Sequence, residues 1–538
     1  MGSGGPHILR LCSDAEYSPD SHNDIQISLP VLLEAEDPAR FALLRTWLRW
    51  CDESHNCNKH NAKSKAALPT RLLYLGDLDP DVLRLYSPKE DDNIKYFALS
   101  HCWGKITENN KRQFCTTDDN INSRLKGFSL SELPKTFRDA IRVTRELGIH
   151  YLWIDSLCII QWNQKDWEYE AERMEGVFAS AYCTIAATSA LDSNAGFLKR
   201  NVNNEYVLVQ DALGRRFYIC ADTDDSNNHV DIDDFDDHVE KAPLNTRAWV
   251  MQERILSRRT IHFSDKQMYW ECGEGVYCET LTRLKSSFRK IYFMLDPNFP
   301  DRLLESGDQR TIEFIQFLSE AYSKRDLTQE TDRCVAISGL EARIASAIGC
   351  RSRYGIFEQH LHRNLLWQRS DGEKAKRIGY ETGIVPSWSW MAYDGGIQFM
   401  EIPFGDVYWN KQLRFNKEHK QVFSNIFKRK GIYALVTDVG VFQNCSLEQR
   451  DISYAVLDSS KAERGRIWYD IESSGNLHTE WCVVVGRNSH KDEHGLRNEK
   501  YYILVVRLTS LDGEYTRVGV GWVQSGYVIR QRLNVRVV

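Results

Sequence analysis

Apolar side chains recur at helical spacing in residues 39–50, ARFALLRTWLRW, where Phe41, Leu44, Trp47 and Leu48 share one face. That spacing predicts an amino-terminal helix. After a polar, charged stretch near residue 90 the period changes, and KYFALS, Lys95 to Ser100, reads as a buried strand. Ser131 then stands where it can cap a helix with Pro134 in its first turn. Phe137, Ala140, Ile141, Thr144 and Leu147 line one face of that helix, and Gly148 sits where a left-handed stop belongs. Ile149 to Ile154 reads as a strand with Asp155 at its carboxyl end. A second helix runs from about Gln164, with Trp167, Ala171, Met174, Phe178 and Ala181 on one face, and Cys183 to Ala187 is a third strand. Strand, helix, strand, helix, strand is the pattern of a parallel α/β sheet. Ligands bind such sheets beyond the carboxyl ends of the strands, here at SHCWG (Ser100 to Gly104) and DSLCIIQ (Asp155 to Gln161).

Further along, GIYALVTDVGVF, WCVVVG and YYILVVRL make the last hundred or so residues strand-rich. With 538 residues, the chain is too long for one core. The pattern changes divide it into a helical amino-terminal flank (1–92), an α/β domain (93–265), a helical and mixed region (266–410) and a strand-rich carboxyl-terminal region (411–538). Within the second, residues 222–240 hold nine carboxylates and no Lys or Arg. DIDDFDD lacks the register of a calcium loop, so a solvated acidic insertion is expected there.

Composition narrows the class. A net charge of −6 and the lack of a basic stripe interleaved with aromatics exclude nucleic acid as an expected partner. IHYLWIDSLCIIQW, the longest apolar-looking run, is interrupted by His150 and Asp155 and is too short to span a bilayer. MGSGGPHILRLCSDAE carries no basic segment followed by an apolar block, and Pro6 stands where acylation at Gly2 would need Ser or Thr. No membrane association and a cytoplasmic chain are expected. Fourteen scattered cysteines suit reduced thiols.

Candidate chemistry is sparse. Cys51, His55, Cys57 and His60 form C-x3-H-x-C-x2-H, but ligands so closely spaced close poorly around one tetrahedral ion. Packed cysteines at a helix end are the expectation, with no metal. Asp155 can bind a ligand hydroxyl or fix its own loop, and Trp103 can stack on a ring or fill the turn. Cys158 lies in an apolar setting with no histidine paired to it by spacing, which argues against a thiol nucleophile. G-x-G-x-x-G, Walker A and G-x-S-x-G motifs are all missing. In TRAWVMQERILS, residues 246–257, a helix puts Trp249 and Glu253 on one face with Gln252 a step around. Glu253 there reads as a solvated residue or an ion-pair partner, and Arg258 and Arg259 follow as partners for carboxylates or for an anionic ligand.

Taken in order, YFALSHCWG, LPKTFRDAIRVTRELGIHYLWIDSLCIIQ, DWEYEAERMEGVFASAYCTIAATSA with GFL after it, and RAWVMQERILSRRTIHF resemble the fungal heterokaryon incompatibility (HET) domain family. WLRWCDESHNC and LPTRLLYLG upstream, and YSKRDLTQETDRCVAISGL, NLLWQR and PSWSWMAYDGG downstream, resemble the usual flanks, so the likeness covers about residues 40–400. His101 departs from the pattern, which commonly has Tyr there, and the acidic insertion is not part of it.

The resemblance implies a fungal protein of non-self recognition and programmed cell death, with an incompatibility or regulatory protein as partner and a capacity to form homo-oligomers. It further implies a distant similarity to Toll/interleukin-1 receptor (TIR) domains, some of which cleave NAD with a glutamate at a W-C-x-x-E-like helix turn. Carried onto this chain, Glu253 is the catalytic carboxylate and Ser100, Trp103, Asp155, Arg247, Trp249, Gln252 and Arg258 surround the substrate. NAD is then a substrate and no cofactor is needed. The resemblance also leaves open a self-associating adaptor without catalysis, or recruitment to a small-molecule biosynthetic pathway.

Overall fold

A computed structural model describes residues 9–13, 38–55, 57, 68–76, 79–200, 206–210, 216–221, 235–279, 284, 307–370, 376–380, 385–416, 434–471, 477–491 and 497–538. Gly2 and Pro6, His60 and residues 222–234 of the acidic segment lie outside them. The chain forms two compact units, residues 1–299 and 300–538.

The first unit is built on a nine-stranded mixed sheet. Its four middle strands are parallel, in the order Arg259–Phe263, Cys183–Ala186, Phe97–Ser100, Tyr151–Trp153. Antiparallel neighbours extend it, Met268–Cys272 and Gly275–Cys278 on one side and Leu72–Tyr74, Val82–Tyr86 and Phe128–Ser129 on the other. Phe97–Ser100 and Cys183–Ala186 are buried at every position, as strands covered on both faces must be. From the Phe97 strand the chain crosses to the Tyr151 strand on one side, then returns to the Cys183 strand on the other. The Phe97 strand is therefore the point where the winding reverses, and in such sheets ligands bind beyond the carboxyl end at that point.

Most of the predicted elements are present with shorter bounds. The helix expected after Ser131 spans Lys135–Glu146 and begins at Pro134, buries Phe137, Ala140, Ile141, Val143 and Thr144, and stops before Gly148 at φ +73°. Ser131 does not cap it. Ser129 and Glu132 instead form a capping box on a 3-10 turn, Leu130–Glu132, that precedes Pro134. The helix expected from Gln164 is two, Gln164–Ala171 and Met174–Ser180, broken at Glu172 and Arg173.

Asp139 explains the GFL segment. Its Oδ2 accepts from the backbone of Phe197 (2.9 Å) and Leu198 (3.3 Å), and Arg40 from the flanking helix Pro38–Ser54 donates to the Leu198 carbonyl at 2.6 Å. Gly196, at φ +70°, leaves room for a side chain nowhere: a Cβ would lie 2.7 Å from Asp139 Oδ2. The acidic segment is not wholly solvated. Residues Asp236–Glu240 form a single π turn, and Phe235 and Val239 pack with Tyr269, Val276, Cys278 and Leu284.

The second unit is strand-rich. Strands Leu435–Phe442, Glu480–Lys491, Arg497–Leu508, Glu514–Gln524 and Val528–Val537 pair in a closed ring around an apolar core that includes Cys482, Ile503, Val505 and Val523. Ring closure leaves no open edge among these five strands. Among the described residues no helix is long and apolar enough to cross a membrane.

Candidate active site at the carboxyl ends of the parallel strands

Ser100 ends the Phe97 strand, and its position is fixed by the backbone N–H of Ala187, which donates to the Ser100 carbonyl at 2.9 Å. The chain then runs without regular structure through His101, Cys102 and Trp103 to Gly104 at φ +79°. Only glycine fits that position, because a Cβ would come within 2.1 Å of Asp192 Cβ. The Trp103 ring reaches the next strand end, where Nε1 donates to Asp155 Oδ2 at 2.7 Å. Asp155 Oδ1 accepts from the Ser156 backbone at 2.6 Å, so this carboxylate both fixes its own loop and holds Trp103.

Glu253 arrives from the helix Ala248–Leu256. Ser100 Oγ donates to Glu253 Oε2 at 2.5 Å, and the glutamate is only 8% exposed. It is neither a solvated helix residue nor the helix's ion-pair partner. That partner is Arg254, which binds Glu271 at 2.8 and 2.9 Å and Glu240 at 2.9 Å on another side of the helix. Ser257 Oγ, sharing a hydrogen bond with Thr184 Oγ1, donates to the Glu253 carbonyl and ties the helix end to the Cys183 strand.

Burial raises the Glu253 carboxyl to about 7, against the Ser100 bond and the Arg247 charge, which lower it, while the Asp155 charge raises it further. Arg247 stands at the N-cap of the Glu253 helix and donates through Nη1 to the His101 carbonyl. His101 is itself buried and pushed down to about 4 by that burial, so at neutral pH its ring is uncharged. The charge balance at neutral pH is thus set by Glu253, Asp155 and Arg247.

Seven of the eight residues named from the sequence lie on the elements that build this place: Ser100, Trp103, Asp155, Arg247, Trp249, Gln252 and Glu253. Within the helix the burial is uneven, with Gln252 and Glu253 buried and Trp249 half-buried. Arg258 is not brought to it. It immediately precedes the parallel strand Arg259–Phe263 and interacts electrostatically with Tyr96, before the Phe97 strand, so it lies at the amino ends of the strands. Cys158 is fully enclosed, and burial pushes its thiol up to about 12, far from a thiolate. Cys272, which no local motif signalled, joins Cys51, His55 and Cys57 in a buried group of possible metal donors.

The fold and this geometry define an α/β domain with a buried carboxylate at the carboxyl ends of its parallel strands. Residues 96–253 match the family model described as heterokaryon incompatibility protein (HET), from the residue before the Phe97 strand to Glu253 itself. The match takes up a little under a third of the chain's length. No curated protein and no solved structure matches the chain.

Proposed function

We propose that this heterokaryon-incompatibility-type protein acts in non-self recognition and programmed cell death by cleaving NAD at a TIR-like site centred on Glu253. The observation that carries the reading is the buried Ser100–Glu253 pair at the carboxyl end of the central strand. A carboxylate held out of water opposite a developing cation stabilises it far more than it would in solvent.

In the reaction the nicotinamide–ribose bond breaks and its electron pair leaves with the nicotinamide, whose ring loses its positive charge. The ribose becomes an oxocarbenium-like centre that water attacks, releasing a proton. Ionised Glu253 faces that centre and Ser100 orients its carboxylate. Asp155 adds negative charge that favours the cationic nicotinamide ring, Trp103 or Trp249 offers a face for stacking, and Arg247 meets the pyrophosphate. Water exclusion follows from the burial of Gln252 and Glu253.

Expression in cells tests the reading at the level of outcome. NAD loss on expression of the full chain, with nicotinamide as product, supports it. Oligomers without NAD loss point to a self-associating adaptor, and a different small-molecule product to a biosynthetic role.

A further inference from the structure

We propose that Cys51, His55, Cys57 and Cys272 form a structural zinc site that clamps the amino-terminal helix to the outer hairpin of the nine-stranded sheet. This inference is independent of any activity at Glu253.

The four donor atoms lie within 4.8 Å of one another, and all four residues are buried. Donors around tetrahedral zinc with metal bonds of about 2.0–2.3 Å stand roughly 3.5–3.8 Å apart, so a small contraction seats an ion. His55 presents Nδ1 to Cys272 Sγ at 3.4 Å. Cys51 lies in the last turn of the helix Pro38–Ser54 and His55 follows four residues later, which places both on one side of the helix end. Cys272 ends the strand Met268–Cys272, and the turn Gly273–Glu274 returns the chain to the strand Gly275–Cys278. The backbone N–H of Gly273 hydrogen-bonds to the Cys57 sulfur and that of Glu274 to the Cys272 sulfur. Amides aimed at sulfur orient metal-bound thiolates and offset their charge.

The surroundings fit a closed structural site. Trp50 packs edge-on against His55 (4.4 Å between ring centres) and against Tyr277 (4.8 Å), and Trp47 meets Trp270 at 6.2 Å. Three thiolates, a neutral imidazole and Zn²⁺ sum to one negative charge. The fully buried Arg259 guanidinium interacts electrostatically with Cys51 and pairs with Asp52 at 2.8 Å, placing a cation nearby. All three cysteines are free thiols, and an odd number of them cannot be paired off by disulfides. The soft, sulfur-rich, four-donor set with no open position selects zinc over calcium or magnesium.

The test is metal analysis of the purified full chain by plasma mass spectrometry after dialysis. About one zinc ion per chain is expected, with near-complete loss in Cys272→Ser and full retention in His60→Ala. If Cys272→Ser does not fold, cobalt reconstitution of the wild-type chain reads the site directly: tetrahedral, thiolate-rich absorption bands support it. Wild-type chain that folds with negligible zinc overturns the proposal. So do a disulfide among these cysteines, stoichiometric iron or copper in place of zinc, octahedral cobalt bands, or zinc that survives Cys272→Ser and is lost in His60→Ala.

Discussion

Ser100 Oγ donates to Glu253 Oε2 across 2.5 Å, joining the end of the central strand to a helix residue 153 positions away. The bond has a definite sign. It stabilises the ionised carboxylate and holds Glu253 below the value that burial alone would set. Ser100→Ala therefore raises the Glu253 pKa above about 7. The acid limb of any NAD-cleaving activity moves to higher pH in that variant, and a pH–rate profile reads it. A limb that stays in place would separate Ser100 from the titrating group.

Glu253 also makes stability depend on pH. Its folded-state value of about 7 lies above the ordinary 4.5, so between these two pH values the folded chain holds more protons than the unfolded one. Stability from this group falls as pH rises through that window, and the whole penalty, on the order of 3 kcal/mol, stands above about pH 7. Glu253→Gln keeps the shape and an acceptor for Ser100 but never ionises. The variant is expected to match or exceed wild type in urea at pH 8, with its advantage vanishing near pH 4.5. Greater loss of stability at pH 8 than at pH 4.5 would refute a raised carboxyl.

Gly104 and Gly148 separate conformational cost from steric cost. Both have positive φ, +79° and +73°, but a Cβ at Gly148 meets nothing within 4 Å while one at Gly104 meets Asp192 Cβ at 2.1 Å. Gly148→Ala is expected to cost about 1 kcal/mol. Gly104→Ala is expected to cost clearly more, about 2–4 kcal/mol, and to displace Trp103 from Asp155. Thermal melts of the two variants side by side decide it, and equal shifts would contradict the packing described.

How much of this was legible in the sequence depends on distance along the chain. The Lys135–Glu146 helix, its Gly148 stop and the short apolar strands all rest on local spacing, and they were readable. Ser129 with Glu132 is also a local box, but Pro134 makes Ser131 a rival cap for the following helix. Arg258 could have been placed correctly, since a residue just before a parallel strand must lie at its amino end, away from Ser100. Burial of Phe235 and Val239 was hidden by the acidic residues around them. Cys272 stands 217 positions from His55, and no spacing rule reaches that far.

In the second unit, Arg517 is fully buried. It binds Asp470 at 2.9 and 3.0 Å, donates to the Leu365 and Trp367 carbonyls at 2.7 and 2.6 Å, and lies 3.5 Å from the Trp367 ring centre. Removing the cation leaves Asp470 buried without its partner, so Arg517→Ala is expected to destabilise by about 3–5 kcal/mol. Arg517→Lys loses the fork that reaches four acceptors and recovers only part of that. Urea midpoints measure both, and an Arg517→Ala midpoint equal to wild type would contradict the network's role.

Glu253 is proposed as the carboxylate of an NAD-cleaving site. Nicotinamide release by the purified full chain, dilute and concentrated, with folded Glu253→Gln measured alongside, addresses it most directly. Release by wild type and its loss in the variant are expected. Equal release by both, or none by either at any concentration, would contradict it.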